Sequence, residues 1–135
     1  GAYGNTMTTN PRALDVACAV LDEVTPDLRA NVQRQGERFL EALRALQARF
    51  PQVIVGVQGT GLLFCAELHP DHFDVIGPGS AEERCRMRGM GVIHGGKNAL
   101  RFTPHFGITD GEVDLMMAVL EGVVAELAAE VRAAS

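Results

Sequence analysis

Apolar residues recur at spacings of three, four and seven over three stretches of the chain and gather in short β-rich runs between them, so helices and strands fall in separate blocks. Leu14, Ala17, Cys18, Leu21 and Val24 give the first stripe. Asn10 offers a capping side chain, and Pro11 falls at the first helical position, which tolerates a missing N–H. A two-sided, partly buried helix to about Val24 is predicted. Thr25-Pro26 repeats the cap-then-proline signal, and Leu28, Val32, Phe39, Leu43, Leu46 and Phe50 continue at helical spacing. This predicts a long amphipathic helix to about Arg49, ended by Pro51.

Beyond it the period changes. "VIVGVQ" (53–58) and "LLFCAEL" (62–68) are β-rich, and Gly59-Thr60-Gly61 between them signals a hairpin turn. His69 to Gly79 reads as an exposed loop. A short helix over 81–88 follows, then "GVIH" and "ALRFT" as two strands around a Gly95-Gly96-Lys97-Asn98 turn. Thr109-Asp110-Gly111-Glu112 is a capping box, in which the Thr hydroxyl and Glu carboxylate satisfy free amides at a helix start. Val113, Met116, Met117, Leu120, Val124, Leu127 and Val131 then line a final helix of roughly six turns. The fold class expected is α+β, a small, mainly antiparallel sheet of two hairpins covered by helices.

At 135 residues and 47% apolar content the chain suits one ordinary domain with a real core. A net charge of −5 argues against nucleic acid or an anionic membrane as partner, since both select a basic face. Cys18, Cys65 and Cys85 form an odd, unpaired set that reads as reduced thiols in the cytoplasm. There is neither a signal-peptide pattern nor an apolar run of membrane-spanning length. A start at Gly-Ala-Tyr, without Met, suggests a fragment or a processed chain.

Candidate chemistry is sparse. "GVIHGGKN" (91–98) has the glycines and lysine of a phosphate loop, but Asn98 stands where a metal-reaching Ser or Thr belongs and a strand follows instead of a helix. "GVQGTG" likewise opens onto a strand, so both read as turns. His69, Asp71 and His72 lack a partner cluster, and no metal site is expected. His94 and His105 have no Ser or Cys placed beside them by a motif. Lys97, the only lysine, lies in a glycine-rich turn and not in the dry pocket a Schiff-base lysine needs.

Two features invite a ligand. Strand alternation puts Arg101 on one face with Ala99 and Thr103, while Leu100 and Phe102 take the other. Arg101 is then either a solvent-facing arginine or a guanidinium fork for a carboxylate at a cleft edge. "GNTMTTNP" (4–11) supplies hydroxyls and amides ahead of a helix N-terminus, which suits a helix cap or a phosphate.

Taken in order, these segments resemble the C-terminal part of the class III, pyridoxal-phosphate-dependent aminotransferases, the group of ornithine, acetylornithine and 4-aminobutyrate aminotransferases. "YGNTMTTNPRALDVACAVLD" is similar to the family's His-Gly-Ser-Thr-Phe-Gly-Gly-Asn-Pro segment and the helix after it, and "VQGTGLLFCAEL" to its Arg-Gly-x-Gly-Leu hairpin. "GVIHGGKNALRFTPHFGIT" matches the strand pair ending in Leu-Arg-x-x-Pro, and "DGEVDLMMAVLEGVVAEL" the last helix. The resemblance implies that residues 1–10 form a cofactor-phosphate loop and 11–135 a C-terminal small domain, with a large catalytic domain upstream that carries the Schiff-base lysine.

The resemblance further implies a homodimer in which Thr6 and Asn5, at the Thr and Ser places of the motif, reach the pyridoxal 5'-phosphate of the neighbouring subunit. Arg101 would serve the substrate carboxylate or pair with an upstream glutamate. Tyr3 stands at the usual His, and Thr8-Thr9 replace two glycines. The activity implied is transfer of an amino group from an ω-amino acid or diamine to a 2-oxo acid, with this segment inactive alone. The alternative is a non-catalytic dimerisation or ligand-sensing α+β module that needs neither Thr6 nor Arg101.

Overall fold

A computed structural model describes residues 10–134, with side chains described as far as Val131. The order is α1 (Pro11–Glu23), α2 (Pro26–Arg49), β1 (Ile54–Thr60), β2 (Leu63–Leu68), α3 (Ala81–Met87), β3 (Ile93–Gly95), β4 (Ala99–Phe102) and α4 (Asp110–Ala134). The helix starts follow the local chemistry. Asn10 accepts from the Arg12 N–H at 3.0 Å, Thr25 accepts from the Leu28 N–H at 3.2 Å, and a proline opens each of those helices. At α4 the Thr109 N–H donates to Glu112 Oε2 at 2.8 Å and the Glu112 N–H to Thr109 Oγ1 at 3.3 Å, a reciprocal capping box. The 25 residues of α4 make about seven turns, one more than the periodicity suggested.

The four strands form one antiparallel sheet in the order β1-β2-β4-β3. Two hairpins, β1–β2 and β3–β4, meet where β2 pairs with β4, so the α+β class expected from the sequence holds. One face of the sheet is covered. Phe64, Ala66 and Leu68 of β2 and Leu100 and Phe102 of β4 point into a core with Phe39, Leu43 and Leu46 of α2 and Val113, Leu120, Val124 and Leu127 of α4. Phe39, Phe64 and Phe102 form a column with ring centroids 4.4 and 5.3 Å apart. Each such side chain contributes about 1.5–3 kcal/mol when fully buried.

α2 approaches the sheet through glycine. A Cβ on Gly36 would stand 2.2 Å from the carbonyl oxygen of Gly61, so helix and hairpin tip touch backbone to backbone. The turn itself differs from the three-residue Gly59-Thr60-Gly61 expectation. β1 runs through Thr60, which pairs with Leu63, and only Gly61 and Leu62 connect the strands. Gly61 takes φ +51°, while Gly59 lies in the ladder where a Cβ would meet that of Phe64 at 2.4 Å.

Three further expectations need correction. α1 was expected to be partly buried, yet it has no buried residue, and Leu14, Val16, Val20 and Leu21 are all more than half exposed. Its apolar surface has no partner among the described residues. The segment from His69 to Gly79 is not simply an exposed loop, because Phe73 and Val75 reach the core. The third strand is Ile93–Gly95, shifted from 91–94 because Gly91 and Val92 still belong to the crossing from α3. No helix among the described residues is long and apolar enough to cross a membrane.

Candidate functional site

Arg101 stands on the second face of the sheet, which no described helix buries. Register defines its neighbours: Gln58 lies opposite Cys65, Cys65 opposite Arg101, and Arg101 opposite Ile93. The adjoining row is Gly56, Glu67, Ala99 and Gly95. Alternation in β4 is as the sequence predicted, with Arg101 exposed and its neighbours Leu100 and Phe102 buried in the core.

The side chain of Arg101 makes no hydrogen bond or ion pair with any described residue. Most other arginines near the helices behave differently. Arg49 pairs with Glu121 at 2.6 Å, Arg84 with Glu130 at 2.6 Å, and Arg88 with Glu126. The stem of Arg101 crosses Gly95, with Cδ 3.6 Å and Nε 3.9 Å from where a Cβ of Gly95 would be. Its guanidinium thus keeps all five donors for a ligand, the fork that suits a carboxylate.

Two adjoining hollows of about 390 and 340 Å³ share Gln58 and Cys65 as floor; Glu67 and Lys97 border the first and Arg101 the second. On the far side of Arg101 a groove of about 530 Å³ runs between β4, the α3–β3 crossing and the start of α4, lined among others by Met90, His105, Glu112 and Leu115. There the Thr109 backbone N–H holds the Glu112 carboxyl below the ordinary carboxylate range, helped by the Thr109 hydroxyl and by His105, whose Nε2 is 3.7 Å from Oε1.

The remaining candidates separate cleanly. Lys97 is exposed in the β3–β4 turn beside Gly96 (φ +57°), without the apolar enclosure that a Schiff-base lysine needs. Asn98, which breaks the phosphate-loop pattern, is structural: its Nδ2 donates to the carbonyls of Phe73 (2.8 Å) and Leu68 (3.2 Å), and its Oδ1 accepts from the Val75 N–H (3.3 Å). It pins the turn to the 69–79 segment, and "GVIHGGKN" is a hairpin. His69 and His72 stack at 4.5 Å, and the described residues hold no cluster of three or more metal-ligating side chains. Asn5 and Thr6 lie outside the described residues. The sequence missed Glu67, Gln58 and Cys65 as neighbours of Arg101, because only cross-strand register brings them together.

The fold has known counterparts. The family model "Aminotransferase class-III" matches residues 1–124. The chain belongs to the class III aminotransferase family. It is 32% identical over 122 residues to the mitochondrial acetylornithine aminotransferase of Neurospora crassa, covering 90% of this chain and 25% of that protein. Among solved structures it resembles the N-acetylornithine aminotransferase of Stenotrophomonas maltophilia K279a, with TM-score 0.73 and 28% identity over 90% of this chain and 33% of that one. It also resembles an amine transaminase of an uncultivated Pseudomonas species in its PLP-bound form, with TM-score 0.73 and 31% identity over 93% of this chain and 30% of that one. The chain therefore spans between a quarter and a third of the length of these relatives.

Proposed function

We propose that this chain is the C-terminal domain of a pyridoxal-phosphate-dependent aminotransferase that moves an amino group from an ω-amino acid or diamine to a 2-oxo acid. The observation that carries the reading is Arg101, whose side chain has no partner among the described residues, at the rim of one hollow on the open sheet face and of the groove beyond β4. A fork of free N–H donors in that position binds the carboxylate of donor or acceptor and orients the substrate by two parallel bonds. Orientation of this kind lowers the entropic part of the barrier, which is the chain's own contribution to rate.

The residue types fit the cofactor in part. The Thr6 hydroxyl and Asn5 amide can donate to a phosphate, and the family match includes them. Lys97 does not fit as the covalent anchor, because it is exposed in a turn. When bound, pyridoxal phosphate supplies the electron sink for the reaction. The anchoring lysine would come from a large domain upstream, and the phosphate held by Thr6 and Asn5 would be that of the second subunit of a homodimer. All three cysteines are free, which supports a reducing, cytoplasmic setting.

The test is made on the full-length protein. Thr6→Ala should lose cofactor faster on dialysis, followed by the visible absorbance of the bound cofactor, with the fold unchanged by circular dichroism. The 135-residue chain alone, given cofactor and both substrates, should show no amino transfer. Amino transfer by this chain alone, or cofactor retention indifferent to Thr6, would count against the reading.

A further inference from the structure

α1 has the side chains of a buried helix and the surroundings of a bare one. None of its 13 residues is buried, and Leu14, Val16, Val20 and Leu21 each leave more than half of their surface to solvent. At about 3.6 residues per turn, Val16, Val20, Ala13, Ala17, Leu21 and Leu14 follow one another round about 160° of the helix axis. That is wider than the roughly 100° stripe with which a surface helix meets its own core. Arg12, Asp15, Asp22 and Glu23 gather on the opposite arc. A helix this short is marginal in water on propensity alone, so it is packing of the apolar arc that must hold it.

The described chain supplies that packing only after α1 has ended. Val24 leaves helical geometry at ψ 81°, and Thr25 caps α2. From there on α2 is tied down: Asn31 Nδ2 donates to the carbonyls of Phe106 (2.8 Å) and Ile108 (3.1 Å), Val32 packs against the core, and Phe39 enters it. The two helices therefore differ in what they rest on, and the change falls at Val24-Thr25.

Area distinguishes the occupants open to the bare arc. Its four large aliphatic side chains offer on the order of 300 Å² of apolar surface, well short of the ~800 Å² that each partner buries in a stable complex of separate molecules. A domain on the same polypeptide meets no such threshold, because its contact is intramolecular. The chain spans only 25% and 33% of two of the relatives it matches, and α1 lies at the end where the rest would join. We propose that the apolar arc of α1 is a docking surface for the large domain upstream, so that the boundary between the two domains lies at Val24-Thr25 and not ahead of Pro11. The inference rests on the upstream domain proposed above.

The test uses the full-length protein. In hydrogen–deuterium exchange the α1 amides should exchange about 100-fold or more slower than unprotected ones, at a rate that does not change on dilution. Leu21→Ala should lower Tm by about 5 °C, the effect of truncating a buried leucine in a large protein, with the molar mass from light scattering unchanged. Asp22→Asn, on the polar arc, should leave Tm where it is. Val20→Ala is the milder second variant and should lower Tm by about half as much. Rapid exchange along α1, or Leu21→Ala and Val20→Ala proteins as stable as Asp22→Asn, overturns the docking surface. Protection lost on dilution, or a Leu21→Ala protein of half the parent's mass, places a second copy on α1 and overturns the upstream domain as its occupant. None of these readouts uses substrate or amino transfer, so the docking surface can fail while the aminotransferase reading stands, and the reverse.

Discussion

Replacing Gly36 by alanine sets two effects of known size against each other. Gly36 lies inside α2, where alanine is favoured over glycine by about 1 kcal/mol. Against that, the new Cβ would stand 2.2, 2.6 and 2.8 Å from the O, C and Cα atoms of Gly61. All three are backbone, so no rotamer change relieves the clash; α2 must lift or the β1–β2 hairpin must move. Overpacking of a well-filled site costs about 1–3 kcal/mol, and contacts this short against backbone belong at the upper end. The net expectation is a loss of about 2 kcal/mol, which for a domain of this size lowers Tm by about 8 °C. Thermal and urea unfolding followed by circular dichroism would measure it. Gly122→Ala is the control: nothing lies within 4 Å of its Cβ position outside its own helix, so the same substitution in α4 should stabilise by up to about 1 kcal/mol. A Gly36→Ala chain as stable as the parent would refute the backbone contact between α2 and the hairpin.

Asn98→Ala should cost about 2–3 kcal/mol in urea unfolding, because it strips hydrogen bonds from the backbone of Leu68, Phe73 and Val75 together. Thr109→Ala removes the α4 cap and should cost about 1 kcal/mol. Glu112 has its carboxyl held below its usual 4.5, so its stabilisation is present above that value and fades as pH falls through the lowered one; a Glu112→Gln chain should lose less stability than the parent below about pH 4.5 in acid titration. Burial pushes the Cys85 thiol up to about 11, so thiol reagents at pH 8 should modify exposed Cys18 first and Cys85 only on unfolding. The same shift makes stability decline as pH rises from about 9 toward 11, since the unfolded thiol ionises first.

Local chemistry made the helix starts legible, because a cap needs only neighbours: Asn10-Pro11, Thr25-Pro26 and the Thr109–Glu112 box all act as their residue types dictate. Features set by distant contacts were less legible. Gly59 and Gly61 look alike in sequence, yet one answers a cross-strand partner and the other a left-handed turn, with Gly36 of α2 pressed against it. α1 carries the pattern of a buried helix, but no described residue covers its apolar face, and periodicity alone does not say what a helix packs against. Alternation in β4 placed Arg101 on its face. Glu67 became its neighbour only through the β2–β4 register, which periodicity within one strand does not contain.

Arg101→Ala in the full-length enzyme tests the central claim most directly. With 5-aminopentanoate as donor, KM should rise about tenfold or more, the worth of a charge-assisted fork on a carboxylate, while cofactor content and kcat stay close to the parent values. An unchanged KM for this carboxylate-bearing donor would contradict the assignment of Arg101 and the function built on it.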